Sequence, residues 1–253
     1  VRGVILGAIT QDAVMNSTQS TTQDVGPADI HANLSAVATR LDRAAADHGR
    51  SADDICLVAV SKTKPVALLK AALDAGQIDF GENYLQDALD KIEALAEHKP
   101  VWHFIGDIQS NKTRDIAAHF AWVHAIDRLK IARRLSDQRP EGMSPLNLCI
   151  QVNIDDEDSK SGIAPDALTE LAGQIAELPN VRLRGLMTIP AYTSDFDAQR
   201  KPFAALRQLM EELNAAGHAL DTLSMGMSAD LEAAVAEGAT HVRVGTDIFG
   251  ARG

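Results

Sequence analysis

The sequence predicts a closed (β/α)8 barrel of the TIM type, preceded by one extra helix. Three observations carry this expectation. From Leu57 onward, eight short apolar runs alternate with polar turns and amphipathic stretches, the pattern of parallel strands joined by helices. The repeats fit within about 200 residues, a span such a barrel can use. Lys62, Asn83, Gly106, Asn153, Ser228 and Gly245 all fall at or just past the carboxyl end of a predicted strand, the face where these barrels carry chemistry. An open doubly wound sheet is the alternative, because alternation alone does not show closure.

Residues 1–26 read as a disordered tail. Thr, Gln, Ser and Asn dominate from Thr10 to Gln23, and Gly26-Pro27 closes the segment. Val4-Ile5-Leu6 is too short and too poorly flanked by basic residues for a signal peptide. Met15 is a candidate for the natural start. Residues 27–253 read as a single domain with no internal repeat.

Ile30, Leu34, Val37 and Leu41 share one face of a helix from about Pro27 to His48, with Gly49 as its stop. The first strand is Leu57 to Ser61, ending at Lys62, and Pro65 starts a helix that runs to Ala75. Strand two is Ile78 to Asn83, and the helix through Leu85, Leu89, Ile92 and Leu95 ends before Pro100. Strand three is Val101 to Gly106, with Ser110 as the expected N-cap of the next helix. Strand four is Ala121 to Ile126, and its helix runs from Asp127 to Arg139, where Pro140 forbids continuation. Strand five, Leu146 to Asn153, puts Leu146, Leu148, Ile150 and Val152 on one face. An acidic loop, Asp155 to Asp158, precedes a helix from Pro165 to about Leu178. Strand six is Leu183 to Ile189, and a long helix follows from about Asp197 to Ala216. Strand seven is Leu220 to Met227, with a helix from Ala229 to Glu237; strand eight is His241 to Val244, with a short turn from Thr246.

Composition removes several function classes. The 253 residues carry 24 Lys+Arg against 35 Asp+Glu, a net charge of −11, which disfavours nucleic-acid and anionic-membrane surfaces. Hydrophobic residues make up 45% of the chain, enough for a sizeable core. No apolar run approaches the roughly 20 residues that span a bilayer. Cys56 and Cys149 sit in strand-like runs without metal-ligand spacing and read as reduced core thiols of a cytoplasmic protein. No HExxH, CxxC or Walker pattern appears, so no metal site is expected.

The chemistry centres on Lys62. Period-two alternation puts it on the face of Val58 and Val60 just where the strand stops. A partly desolvated amine there has a lowered pKa and attacks carbonyls; the plain alternative is a lysine reaching to solvent. Ser224-Met225-Gly226-Met227-Ser228 and Gly245-Thr246 resemble anion cradles at helix starts, with Ser228 as a cap. Ser228 alone is compatible with an ordinary N-cap. The pairing of both loops with a lysine on strand one favours phosphate. Arg243 points to the barrel interior with His241, where it needs an acceptor: an interior carboxylate, a ring nitrogen or a phosphate. His103 reads as a satisfied core histidine.

These residues sit in segments that together resemble the pyridoxal phosphate homeostasis protein family, the single-domain relatives of alanine racemase. The resemblance runs from about Asp29 to Gly253. It rests on Ala59-Val60-Ser61-Lys62-Thr63-Lys64-Pro65, Phe80-Gly81-Glu82-Asn83-Tyr84, the segment from Trp102 to Lys112, Ser159-Lys160-Ser161-Gly162, Gly185-Leu186-Met187, Gly226-Met227-Ser228 and Arg243-Val244-Gly245-Thr246. It implies an alanine racemase N-terminal-domain-like barrel that binds pyridoxal 5′-phosphate (PLP) as a Lys62 aldimine. Ser228, Gly245 and Thr246 would hold the phosphate, Arg243 would face the pyridine nitrogen, and Asn83 and Met227 would lie against the cofactor. It further implies a monomeric carrier that buffers PLP or delivers it to apo-enzymes, with no catalytic residue. Alanine racemases add a second base, a tyrosine on a carboxyl-terminal β-domain, and place another tyrosine four residues after the lysine. This sequence has Val66 at the latter position and ends at Gly253, so a two-base racemase is not expected. A weak one-base PLP enzyme is the alternative, and a class I aldolase acting on sugar phosphates is a third reading.

Overall fold

The computed structural model describes residues 25–155 and 161–251. The expected tail up to Asp24 with Met15, most of the acidic loop, the Ser159-Lys160 pair and the last two residues lie outside the described residues.

Eight parallel strands close in sequence order: β1 (Cys56–Val60), β2 (Asp79–Glu82), β3 (Val101–Phe104), β4 (Trp122–Ile126), β5 (Leu146–Gln151), β6 (Val181–Met187), β7 (Thr222–Ser224) and β8 (His241–Val244). Closure is made by β8 against β1, in register from Cys56↔His241 to Ala59↔Val244. That pairing decides between barrel and open sheet. The main hydrophobic core lies outside the barrel wall, between strands and helices. Leu146, Leu148, Ile150 and Val152 all belong to it, as their alternation predicts, together with Leu69, Phe80, Ile116, Leu135 and Phe203. Inside the wall, a methyl group at Gly81 would touch Val58, Val60 and Ile105, so those side chains converge on the axis.

The helices are α1 (Pro27–Asp47), α2 (Val66–Asp74), α3 (Leu85–Ala94), α4 (Thr113–His119), α5 (Leu129–Gln138), α6 (Leu168–Ala176), α7 (Phe196–Ala215), α8 (Leu231–Ala236) and α9 (Thr246–Phe249). None of them is long and apolar enough to cross a membrane. The helix after β8 has only four residues, too few to cover β8 and the closing seam. The extra helix α1 takes that place. It packs on α2, α8 and α9 through Ile30, Leu34, Val37 and Leu41, all buried. Arg40 ties it to the turns beyond β7 and β8: its guanidinium donates to Glu232 at 2.8 Å and to the Ser228 carbonyl at 3.0 Å, and pairs with Asp247.

Two cap assignments and one strand differ from expectation. Ser110 does not cap α4; Lys112 holds the cap position, and the Ser110 carbonyl accepts from Thr113 Oγ1 inside a tight turn. Ser228 does not cap α8, whose cap position is Asp230. The Asp230 carboxylate instead accepts the Met227 N–H at 2.6 Å. β7 is three residues long because Gly226 turns the chain at φ +92°, where a Cβ would come within 2.5 Å of the Ala234 methyl.

Candidate cofactor site

Lys62 is fixed from behind. Its neighbour Ser61 is buried and donates from Oγ to Glu82 Oε1 at 2.6 Å. Lys91, on the buried face of α3, donates from Nζ to the Ser61 carbonyl at 2.8 Å, to Glu82 at 2.8 Å and to Asp87 at 2.7 Å. The same Asp87 carboxylate accepts the Thr63 N–H at 3.0 Å. Thr63 itself sits at φ +63°, a conformation that costs a β-branched residue on the order of 1–3 kcal/mol and persists only where its surroundings impose it. One buried ammonium thus sets the backbone on both sides of Lys62. Burial pushes the Glu82 carboxyl upward, and Lys91 and Ser61 pull it back down.

In front of this turn lies a cavity of about 310 Å3 at the carboxyl ends of the strands. Its lining includes Lys62, Asn83, Met227, Ser228, Arg243, Gly245 and Thr246. All seven expected site residues therefore meet in one place. Gly245 suits a close approach, since a Cβ there would lie 3.1 Å from the Val60 carbonyl oxygen. Ser228 and the Gly245-Thr246 turn are adjacent, with the Asp247 N–H 3.4 Å from Ser228 Oγ. Met227 and Ile189 form an open rim, 36% and 41% exposed. Larger clefts of about 690 and 810 Å3 lie at the opposite end of the barrel, lined by residues near strand starts such as Cys56, Asp79, Arg184 and Asp221.

Arg243 is 4% exposed and meets no carboxylate directly among the described residues. Its Nη1 donates to Ser224 Oγ at 2.7 Å and its Nη2 to the Thr188 carbonyl at 3.0 Å. Burial pushes the guanidinium down to about 10, with the charge of Asp230 acting in the other direction. Beyond Ser224 the contacts continue through the barrel: Ser224 to His124 Nδ1 at 2.7 Å, His124 Nε2 to His103 Nδ1 at 2.9 Å, His103 Nε2 to Asp79 at 3.0 Å. His103 is thus a satisfied core histidine, as expected.

Residues 32–253 match the alanine racemase N-terminal domain family. The pyridoxal phosphate homeostasis protein of Pseudomonas aeruginosa is 58% identical over 223 residues, covering 88% of this chain and 96% of that protein. The protein of the same name from Escherichia coli K12 is 52% identical over 227 residues, covering 88% and 97%. The chain belongs to the pyridoxal phosphate homeostasis protein family. Among solved structures, PipY of Synechococcus elongatus with PLP bound is 36% identical with a TM-score of 0.78, covering 87% of this chain and all of that one. Alanine racemase from Corynebacterium glutamicum, 15% identical with a TM-score of 0.66, shares the fold.

The cavity has the features a substituted pyridine with an anionic arm requires. Asn83 Oδ1 is buried without a hydrogen-bond partner among the described residues, and so has an acceptor to offer a ligand. The cradle at Gly245 admits close approach to backbone, and an amine and a guanidinium face the same space. Sequence reasoning missed the supports: Glu82, Asp87 and Lys91 behind Lys62, Arg40 behind the two phosphate-type turns, and His124 and Ser224 behind Arg243. For Lys91 a signal existed. It occupies the same helix face as Leu85, Ala88 and Leu95, an apolar stripe that a solvent-facing lysine would avoid.

Two outcomes follow from these buried groups. Lys91→Met strands the Glu82 carboxylate and should cost about 3–5 kcal/mol in urea unfolding. Adding Glu82→Gln should recover part of that loss; equal losses for single and double variants would contradict the cluster. Separately, burial holds the imidazoles of His103, His124 and His241 below their ordinary range, His241 at about 4. A depressed folded-state pKa means the unfolded chain takes up the proton first. This stability is present above about pH 6.5 and falls away as pH drops through the folded-state value. His241 alone should remove about 2 kcal/mol between about pH 7 and pH 5, and His241→Gln should flatten the measured slope.

Proposed function

We propose that this protein binds PLP in the 310 Å3 cavity and holds it as an aldimine with Lys62, serving as an intracellular carrier that buffers the cofactor or delivers it to apo-enzymes. The observation that carries the reading is the convergence of Lys62, the Ser228 and Gly245-Thr246 turns and Arg243 on one cavity. The Lys62 amine condenses with the aldehyde, with loss of water. Hydroxyls and amides at Ser228, Gly245 and Thr246 receive the phosphate, Arg243 faces the pyridine nitrogen, and Asn83 and Met227 flank the ring. The PLP-bound PipY relative supports the choice of ligand.

Arg243 is compatible with a carrier. A permanent cation beside the pyridine nitrogen disfavours protonating it, and an unprotonated ring is a weaker electron sink. Cys56 and Cys149, both free thiols pushed up to about 12 by burial, suit a reducing cytoplasm. A one-base PLP enzyme is the second reading, favoured by the open rim at Met227 and Ile189, through which water reaches the site. Delivery to apo-enzymes and a monomeric state belong to the same proposal.

Purified protein mixed with PLP should develop an aldimine absorption band, and borohydride should fix one pyridoxyl phosphate on the Lys62 peptide by mass spectrometry. Lys62→Ala should lose both signals. A label on Lys64, or no band, would sink the assignment. Deuterium exchange at the α-carbon of added amino acids above the rate of free PLP would favour the enzyme reading.

A further inference from the structure

The contacts behind Arg243 form one continuous path from the cofactor cavity to the opposite mouth of the barrel. At one end Arg243 Nη1 is 2.7 Å from Ser224 Oγ, and a guanidinium only donates. At the other end Asp79 is 3.0 Å from His103 Nε2, and a carboxylate only accepts. Burial favours the neutral form of both rings between them. A neutral imidazole has one donor and one acceptor. Asp79 therefore requires the proton of His103 on Nε2, which makes His103 Nδ1 an acceptor. His124 must then donate from Nε2, which leaves its Nδ1 to accept the Ser224 hydroxyl proton, 2.7 Å away. Ser224, having donated, accepts from Arg243. Each donor points the same way, and no other neutral arrangement satisfies every contact.

We infer that Asp79, His103, His124 and Ser224 are positioning residues for Arg243, a one-way hydrogen-bonded chain that links it to a carboxylate at the far mouth of the barrel and fixes the face it presents to the ligand. The arrangement has a chemical reason. A carboxylate touching Arg243 would quench its charge where a pyridine nitrogen must feel it. Ser224 and the Thr188 carbonyl orient the guanidinium without neutralising it. Chains of hydrogen bonds in a low-dielectric interior polarise one another, so Asp79, 22% exposed at the opposite cleft, acts on Arg243 through three neutral groups, in addition to the charge of Asp230. The inference rests on the PLP reading for its purpose and on geometry alone for its proton arrangement.

The test has one arm for each. In the ligand-free protein, 15N NMR should find His103 and His124 neutral with the proton on Nε2. A ring protonated on Nδ1, or a charged ring, would overturn the chain, with or without PLP binding. Asp79→Asn, nearly isosteric, should shift the Arg243 guanidinium 15N signals and weaken PLP binding by about fivefold, the net worth of one ordinary hydrogen bond. In a Ser224→Ala background the same substitution should change neither. An Asp79→Asn effect that persists undiminished without Ser224 would mean direct long-range electrostatics and refute the chain. Absence of PLP binding by the unaltered protein would refute the cofactor reading, while the tautomers and the Arg243 shifts still decide the chain.

Discussion

A single buried ammonium, that of Lys91, holds the turn on which the site depends. It bonds to the Ser61 carbonyl, to Glu82 and to Asp87, and through them fixes the residues before and after Lys62. A lysine on a free loop would sample many rotamers and backbone states; here the backbone is set before any ligand arrives. The cost is a buried ion pair, Lys91 at 3% and Glu82 at 0% side-chain exposure, with Asp87 at the solvent edge. Such clusters rarely add net stability, and they make loss of one member expensive. What this one contributes is geometry: a non-glycine left-handed residue, Thr63, at the point where the chain leaves the strand.

The same logic recurs around the cavity. Arg40 on α1 reaches Ser228, Glu232 and Asp247, so a helix added before the barrel braces the two turns facing Lys62 across the opening. Arg243 is braced by a path of neutral groups instead of a carboxylate. Apolar packing is concentrated between strands and helices, and part of the interior is given to polar residues that bond mostly to one another. Three side chains that face the ligand space are each supported by a polar network on the side away from it. The result is a preorganised site on a rigid scaffold, the condition under which binding costs least in ordering.

Much of this was legible in the sequence, and the reasons for the gaps are physical. Strand and helix order follows from periodicity, a local signal. Lys62, Asn83, Ser228, Arg243 and Gly245 stand out because polar or glycine residues interrupt apolar runs at strand ends. Closure of β8 on β1 is a long-range pairing that the repeat count and the residues at strand ends favoured but that alternation alone could not show. The Ser110 and Ser228 caps failed because two further residues intervene before each helix, and a capping residue type does not reveal them. The path from Asp79 to Arg243 was hidden because its members come from five strands, and nothing local links His103, His124 and Ser224. Lys91 was hidden by its charge, which reads as solvent-facing until its helix face is counted.

The central claim is that the turn carrying Lys62 is held rigid in the ligand-free protein by the Lys91 cluster. Native-state amide hydrogen exchange at Thr63 tests it most directly, because that N–H is bonded to Asp87 within the cluster. The account predicts exchange of Thr63 slowed well below that of an unbonded loop amide before any cofactor is added, with the protection lost in Lys91→Met. Exchange at the rate of an open loop in the unaltered protein would contradict it.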